Sequence, residues 1–415
     1  MSSVGVLRIA RLKPCATFSR RFAYQLSRPD TIGGLPTSFS SLTEIDPHEW
    51  DRLAGDNAFA TYGWLLTVEQ CSRARVEPLY FLHRENGLVV ATAVCYVASA
   101  SDHVETLDHL IYGRAAGAAR ALRLSVMPAL VCGPALGYGW HIGLDDALEP
   151  VACQRVRASM IDAMESAARD RGLELSFVHL MDRESELAGQ LRQRGYLRCA
   201  NVPVAVLDVR WATFDAYLDD LPQRTRSEFR RQMKHNRAAG TIIDVAETMQ
   251  NYDRRALELF DANQWKHSRL RFAFDDRSFA SFDAHLRGRA KLFTATKDAA
   301  LTGACLVLNQ GMCGYAVAVG IDQARAGDDY TYFNLTYNST IADAIASGLQ
   351  RVYYGRGLYE VKLRRGCTLE NTWLYSHASG AGRVATAAWF GLASFWNRLK
   401  LPPRARRLLP TSPPE

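Results

Sequence analysis

Residues 351–367 read RVYYGRGLYEVKLRRGC, and the segment before them ends ADAIASG at Gly348. Val352, Tyr353 and Tyr354 form a short run of the β-branched and aromatic residues that suit a strand. Gly355 and Gly357 supply a turn. Tyr359 to Arg365 read as a turn of basic helix closed by Gly366, because glycine takes the left-handed conformation that ends a helix without a steric penalty. Helix, glycine stop, strand and basic cap is an order that belongs to a layered α/β architecture.

Working outward, the order recurs. Segment 79–97, LYFLHRENGLVVATAVCYV, alternates around Glu85, Asn86 and Gly87, a hairpin signal. Segment 291–319, KLFTATKDAALTGACLVLNQGMCGYAVAV, is a similar meander turning near Asp298 and Gly311. Val156, Met160, Met164 and Ala167 mark one face of a helix that stops at Gly172 and leads into LELSFVHL, as the helix stopping at Gly348 leads into LQRVYY. Two copies of hairpin, strand, helix, glycine and strand predict a duplicated α/β (α+β) fold with mixed central sheets. The divisions fall as a leader over 1–37, domains over 38–210 and 211–382, and a tail over 383–415.

At the join, strand 203–210 leads to Trp211 and a helix with Phe214, Tyr217 and Leu218 that breaks at Pro222. A basic helix follows over about 223–238, QRTRSEFRRQMKHNRA, ending at Gly240. Phe229 and Met233 give it a small apolar stripe, while Arg226, Arg230 and Arg237 crowd a second face with Arg224, Arg231 and Lys234 around them. Such a face is either solvated or binds phosphates, since Glu228 alone offsets the cations.

The chain is 48% hydrophobic and 22% charged, the composition of an ordinary globular protein, with a net charge of +7. That charge belongs to the ends. Residues 1–29 hold six Lys/Arg and no acid, and residues 371–415 hold six more against Glu415 alone, so the body between carries 38 basic and 42 acidic residues. The nine cysteines form no C-x-x-C pair and sit largely in apolar runs, as buried hydrophobes of a reducing compartment do. Neither end has 18 consecutive apolar residues, so no spanning helix is expected, and the location is expected to be cytoplasmic. The acid-free start reads as a disordered leader, with a presequence as the alternative.

Four stretches together resemble Fem-type aminoacyl transferases and their acetyltransferase-like relatives, a branch of the GNAT acyltransferase superfamily. They are EWDRLAGDNAFATYGWLLTVEQ at 49–70, with Asn57 and Phe59 before its helix, LDDLPQRTRSEFRRQMKHNRAAG at 218–240, IADAIASGLQRVYYG at 341–355 and LYEVKLRRG at 358–366. The resemblance covers roughly residues 40–380. It implies two tandem GNAT folds, an Arg-rich helix opening the second, and an N-acyltransferase joining an activated acyl donor to an amine by an amide bond. It places Lys362 against the reacting acyl group and makes Arg224, Arg226, Arg230, Arg231, Lys234 and Arg356 donor-binding candidates. It implies no resident cofactor. The co-substrate is aminoacyl-tRNA, or else acyl-CoA or another thioester, and the acceptor a small-molecule or lipid-linked amine.

Amide formation requires an activated ester or thioester, a neutral amine and stabilisation of an oxyanion. In GNAT folds two neighbouring strands splay apart to hold the donor; here these are 313–321 and 349–354. Lys362 would then face the acyl carbonyl, unless with Arg364 and Arg365 it is a solvated helix end. Glu360 is a candidate general base or a partner for Arg364 four residues on. Tyr359 is a candidate hydrogen-bonding group or a half-buried aromatic, and His377 a candidate proton acceptor. The acetyl-CoA signature has a formal match, RAAGAA at 114–119, that precedes a strand where it should follow one. After strand 313–321 the corresponding stretch carries Asp328 and Asp329, which would repel a pyrophosphate.

The P-loop, nucleophile-elbow and zincin patterns are absent, and His103 with His109 lacks metal-ligand spacing. A rival reading is a catalytically silent pair of GNAT folds that grips RNA or a membrane. In the tail, Trp389, Leu392, Phe395, Trp396 and Leu399 lie near one side of a helix. They suit a closing helix docked on the second domain or an interfacial helix on the inner membrane face.

Overall fold

The structure, a computed structural model, describes residues 34–99, 101–121, 124–377 and 383–409. Most of the expected leader therefore lies outside the described residues. The strands are β1 (Thr37–Phe39), β2 (Glu77–Glu85), β3 (Leu88–Ala98), β4 (Ala129–Cys132), β5 (Ile142–Leu144), β6 (Glu174–Met181), β7 (Leu197–Ala200), β8 (Val204–Asp208), β9 (Ile242–Ala246), β10 (Ala290–Lys297), β11 (Ala300–Gln310), β12 (Cys313–Ile321), β13 (Arg351–Gly355), β14 (Thr368–Glu370) and β15 (Thr372–Ser376). They form two mixed sheets. The first runs β1-β2-β3-β4-β6-β15-β7, with β5 on β3, and the second runs β14-β8-β13-β12-β11-β10-β9.

The duplication is visible in both. Asn86 and Gly87, both at positive φ, turn the β2–β3 hairpin, and Asp298 and Ala299 do the same for β10–β11. Each sheet contains one parallel pair, β4 with β6 and β12 with β13. A parallel pair needs a crossover. The first is the helix Pro150–Asp170, and the second is the helical segment 331–346, whose middle, Asn334–Ser339, is a π-helix. Gly172 and Gly348, at φ of 65° and 68°, end these helices as expected.

The sheets trade strands across the expected divisions. β8 pairs with β13 and β14 in the second sheet, and β15, far along the chain, is inserted between β6 and β7 of the first. A division at 210/211 would leave β8 on the wrong side. Its side chains explain why: Val204 and Val206 enter one core while Ala205 and Leu207 enter another, so β8 is apolar on both faces and needs cover on both.

One continuous core joins the two halves. Trp64 stacks on Phe282 at 5.8 Å, and Phe59 meets Tyr315 edge-on at 5.0 Å. The helix Tyr62–Cys71 approaches the helix Asp276–His285 so closely that a Cβ at Gly63 would lie 2.6 Å from the His285 carbonyl oxygen. The closing helix, Arg383–Leu399, docks on the first sheet rather than on the second domain. Ser394 Oγ accepts from Ala200 N and Asn397 Nδ2 donates to Ala200 O, both on β7. Its buried face is Phe390, Ala393 and Asn397, which leaves Leu392, Phe395, Trp396 and Leu399 exposed. No described helix is long and apolar enough to cross a membrane.

Candidate active site

Both parallel pairs come apart, and they do so toward one another. β12 and β13 are paired from Cys313 and Arg351 to Tyr315 and Tyr353, after which β12 parts from β13 and continues paired with β11 alone. β4 and β6 are paired as far as Cys132 and Phe177. Ala316, Val317, Gly355 and Arg356 beyond the first divergence, and Gly133, Pro134, Val178 and His179 beyond the second, line a single cavity of about 330 Å³ between the two sheets. Apolar and aromatic side chains such as Phe59, Trp64, Phe272 and Phe274 make up much of its wall. A cavity at the carboxyl ends of diverging parallel strands, mostly apolar with a few convergent polar groups, is where a small-molecule site is expected.

The polar groups are few. Arg356 reaches Glu105 with Nη2 to Oε2 at 2.8 Å, and both line the cavity. His179 has φ of 61°, a conformation uncommon for residues other than glycine. Burial holds its imidazole well below the usual histidine pKa, with Arg356 and His141 opposing a further positive charge. The Tyr138 hydroxyl in the cavity wall has no hydrogen-bond partner among the described residues. Burial pushes the Cys132 thiol well above its usual pKa, so it offers no thiolate nucleophile. Asn57 organises the rim: its Oδ1 accepts from Phe59 N at 2.9 Å and its Nδ2 donates to Tyr138 O at 2.9 Å.

Of the catalytic and donor-binding candidates named from the sequence, Arg356 alone lines this cavity, beside Phe59 and His103. Lys362 is 4% exposed, and its Nζ donates to three backbone carbonyls: Tyr354 O at 2.7 Å, Gly355 O at 3.1 Å and Arg356 O at 3.1 Å. All three ammonium hydrogens are used, so the expectation that Lys362 faces an acyl group is corrected. It clamps the strand end that carries Arg356. Burial pushes this ammonium down to about 8. Tyr359 is buried and donates to Pro203 O at 2.7 Å, a structural position. Glu360 is exposed and borders a separate small pocket with Glu228, Arg364 and Arg365, away from the cavity. Arg364 pairs with Glu228 at 3.7 Å rather than with Glu360. Arg365 is not solvated: it is 2% exposed, with its guanidinium 4.4 Å from the Phe229 ring centroid and 4.5 Å from that of Tyr337.

The basic helix spans Gln223–Ala238, and none of its cations lines the cavity. Arg226 and Arg230 both reach Asp219, at 3.4 and 3.2 Å. Arg224, Arg231 and Lys234 are exposed and have no carboxylate in ion-pair range among the described residues. His377 pairs with Glu174 at 3.0 Å, outside the cavity. RAAGAA lies across two short helical turns before β4. His179 went unnoticed in the sequence because it sits in the strand-like stretch LELSFVHLM, where Glu174 and Ser176 also interrupt the apolar residues and nothing marks the histidine out.

Two units whose splayed strands share one cavity define the fold class, a tandem GNAT-like fold. A family model matches residues 41–386, and the chain belongs to that family, the FemAB-like proteins of peptidoglycan biosynthesis and recognition. Among solved structures it is similar to FemX, with a TM-score of 0.52 and 12% identity over 86% of this chain and 99% of that one. It is also similar to the C-terminal domain of a lysylphosphatidylglycerol synthetase from Agrobacterium fabrum, with a TM-score of 0.51 and 13% identity over 85% and 97%. A Bacteroides thetaiotaomicron protein of unknown function gives a TM-score of 0.51 and 8% identity over 81% and 98%. Comparison with curated proteins finds no match.

Proposed function

We propose that the protein transfers an aminoacyl group from a charged tRNA to an amine, forming an amide in the cavity between the sheets. The observation that carries acyl transfer is the meeting of the two strand divergences at one cavity. Beyond Tyr315, β12 lies free of β13, so a donor can lie between them while the acceptor occupies the side built by β4 and β6. The sequence there excludes water with aromatic rings, which strengthens every polar contact to the reacting carbonyl.

The preference for tRNA over coenzyme A rests on Asp329. A CoA pyrophosphate binds the free N–H groups of the helix that follows the splayed strand. In this chain that helix start is taken by a carboxylate of its own: Asp329 accepts from Thr331 N at 2.9 Å, Thr331 Oγ1 at 2.6 Å and Thr241 Oγ1 at 2.8 Å. Burial opposes its charge, but these bonds and the Lys297 ammonium hold its carboxyl below the usual range. A second pyrophosphate charge has no place there. Arg224, Arg231 and Lys234, which have no carboxylate partner among the described residues, are the contacts we assign to the RNA backbone.

A lipid-linked amine is the acceptor we favour. A second cavity of about 670 Å³ between the closing helix and Leu107–Tyr112 shares Glu105, Leu110 and Arg356 with the first. Beside it the closing helix exposes Phe395 and Trp396, followed by Lys400, Arg404 and Arg407, residues that settle at anionic headgroups. The likeness to a lysylphosphatidylglycerol synthetase domain is in keeping with that acceptor.

The test supplies hydroxylamine as a simple amine, with either a mixed pool of aminoacyl-tRNA or a set of acyl-CoA thioesters, and reads as product only the hydroxamate formed above the rate without protein. Product from the tRNA pool, abolished by ribonuclease and falling steeply with salt, is the expected result. Ribonuclease-resistant product from a thioester would reassign the donor. RNA binding without product would make the protein a binding module.

A further inference from the structure

We propose that His179 acts as a neutral hydrogen-bond donor, its Nε2–H meeting the oxygen of the acyl carbonyl held in the cavity, with Asn201 fixing the tautomer. The inference rests on the acyl-transfer reading above and adds a catalytic group to it.

The tautomer follows from the bonds around Asn201. Its Oδ1 accepts from Val202 N at 2.8 Å, which leaves Nδ2 to donate to His179 Nδ1 at 3.2 Å. A neutral imidazole that accepts at Nδ1 carries its hydrogen on Nε2. That nitrogen has no partner among the described residues, and His179 lines the cavity. The ring is therefore a donor toward the cavity, and the sequence expectation of a histidine proton acceptor does not transfer to it.

The charges around it keep it neutral. The groups facing it are Arg356 and His141, both unfavourable to an imidazolium. The nearby carboxylates are engaged: Glu105 with Arg356, and Glu184 with His141 Nδ1 at 2.7 Å. None is left to pair with a charged His179.

The backbone shows that this placement is built. β6 pairs with β15 at Phe177 and again at Leu180, and the register shifts between them, so Val178 and His179 form a bulge. The bulge is anchored at both peptides: His141 Nε2 lies 2.9 Å from Val178 O, and Gly139 N donates to His179 O at 3.3 Å. Bulges re-aim side chains and end pairing next to active sites, and a strained φ at a cavity is a reason to look for function there.

In the step itself, the amine lone pair attacks the acyl carbon and the carbonyl π pair moves onto oxygen, which accepts the His179 hydrogen bond. His179 keeps its proton. When the intermediate collapses, the carbonyl re-forms and the bond to the leaving oxygen or sulfur breaks. The proton released by the attacking nitrogen leaves on that atom, so an amide and a free hydroxyl or thiol result.

Two measurements on the full chain test this. Nitrogen-15 NMR of the labelled imidazole, from about pH 5.5 to 8, should show a neutral Nε2–H ring throughout; an Nδ1–H tautomer, or titration near the ordinary histidine pKa, would overturn the inference. In the hydroxamate assay, His179→Ala should lower kcat about 100-fold, the scale of one lost oxyanion donor. His179→Gln keeps an N–H donor and should recover part of the rate. Asn201→Asp presents an acceptor in place of the donor, moves the hydrogen to Nδ1, and should fall as far as His179→Ala. A base at this position would instead leave His179→Gln as inactive as His179→Ala. Wild-type turnover with His179→Ala near the wild-type rate overturns this inference and leaves acyl transfer standing. No wild-type turnover with either donor class removes the acyl-transfer reading and this inference with it.

Discussion

Lys362 ties the carbonyls of residues 354–356 to the helical turn that follows them and so holds the strand end that carries Arg356. Its place just beyond a strand and a glycine turn was legible in YGRGLYEVK, and so was its being special. Its role was not, because the three carbonyls it binds come from the loop that folds back over it. The clamp has a consequence that a catalytic cation lacks. Lys362→Met leaves three carbonyls of residues 354–356 without their donor, and each buried unpaired polar group costs on the order of 1–3 kcal/mol. The variant should lose thermal stability, read as a clear fall in Tm, and lose activity about tenfold through misplacement of Arg356. A fall in kcat with Tm unchanged would return Lys362 to direct contact with the acyl group. His179 is the opposite case. Nothing in the alternation of LELSFVHLM distinguishes a histidine in register from one on a bulge, since the bulge is set by the pairing of β6 with β15, far away in the chain.

Elements were the most legible level, where punctuation is local. Pro222 and Gly240 bracket the basic helix Gln223–Ala238, and Asn86 with Gly87 fixes the first hairpin. What packing adds is which face is free. Arg226 and Arg230 are engaged by Asp219, whereas Arg224, Arg231 and Lys234 are not. Reversing the latter three to Glu should therefore leave Tm nearly unchanged while raising the apparent KM for charged tRNA and flattening its salt dependence; unchanged kinetics would make this a solvated face. The closing helix divides in the same way. Phe390, Ala393 and Asn397 hold it to β7, so deleting it should destabilise the fold, while Phe395→Ser with Trp396→Ser touches only its exposed side. That double variant should keep its Tm and lose sedimentation with anionic vesicles. Equal sedimentation of both proteins would separate this helix from any lipid contact.

At the scale of the molecule, the internal repeat was enough to read a duplicated α/β unit, the four Fem-like stretches added the likeness to tandem GNAT folds, and the family and fold comparisons bear that out. The strand exchange was not readable. β8 and β15 look alike in sequence as short apolar runs, and only long-range pairing assigns β8 to the second sheet and β15 to the first. The exchange matters for function because it ties the two sheets together around the cavity between them, where each half contributes one diverging parallel pair. If acyl transfer takes place in that cavity, filling the cavity must stop turnover. Ala135 lies on the loop after β4, is partly exposed and lines the cavity at the edge of the core, so Ala135→Trp fills the space from its rim. Hydroxamate formation and Tm measured together on wild type and Ala135→Trp give the most direct reading. The account predicts turnover lowered at least about 100-fold with Tm nearly unchanged, since displacement of reacting atoms by as little as 1 Å costs rates of that order. Near wild-type turnover by a folded Ala135→Trp protein would contradict it.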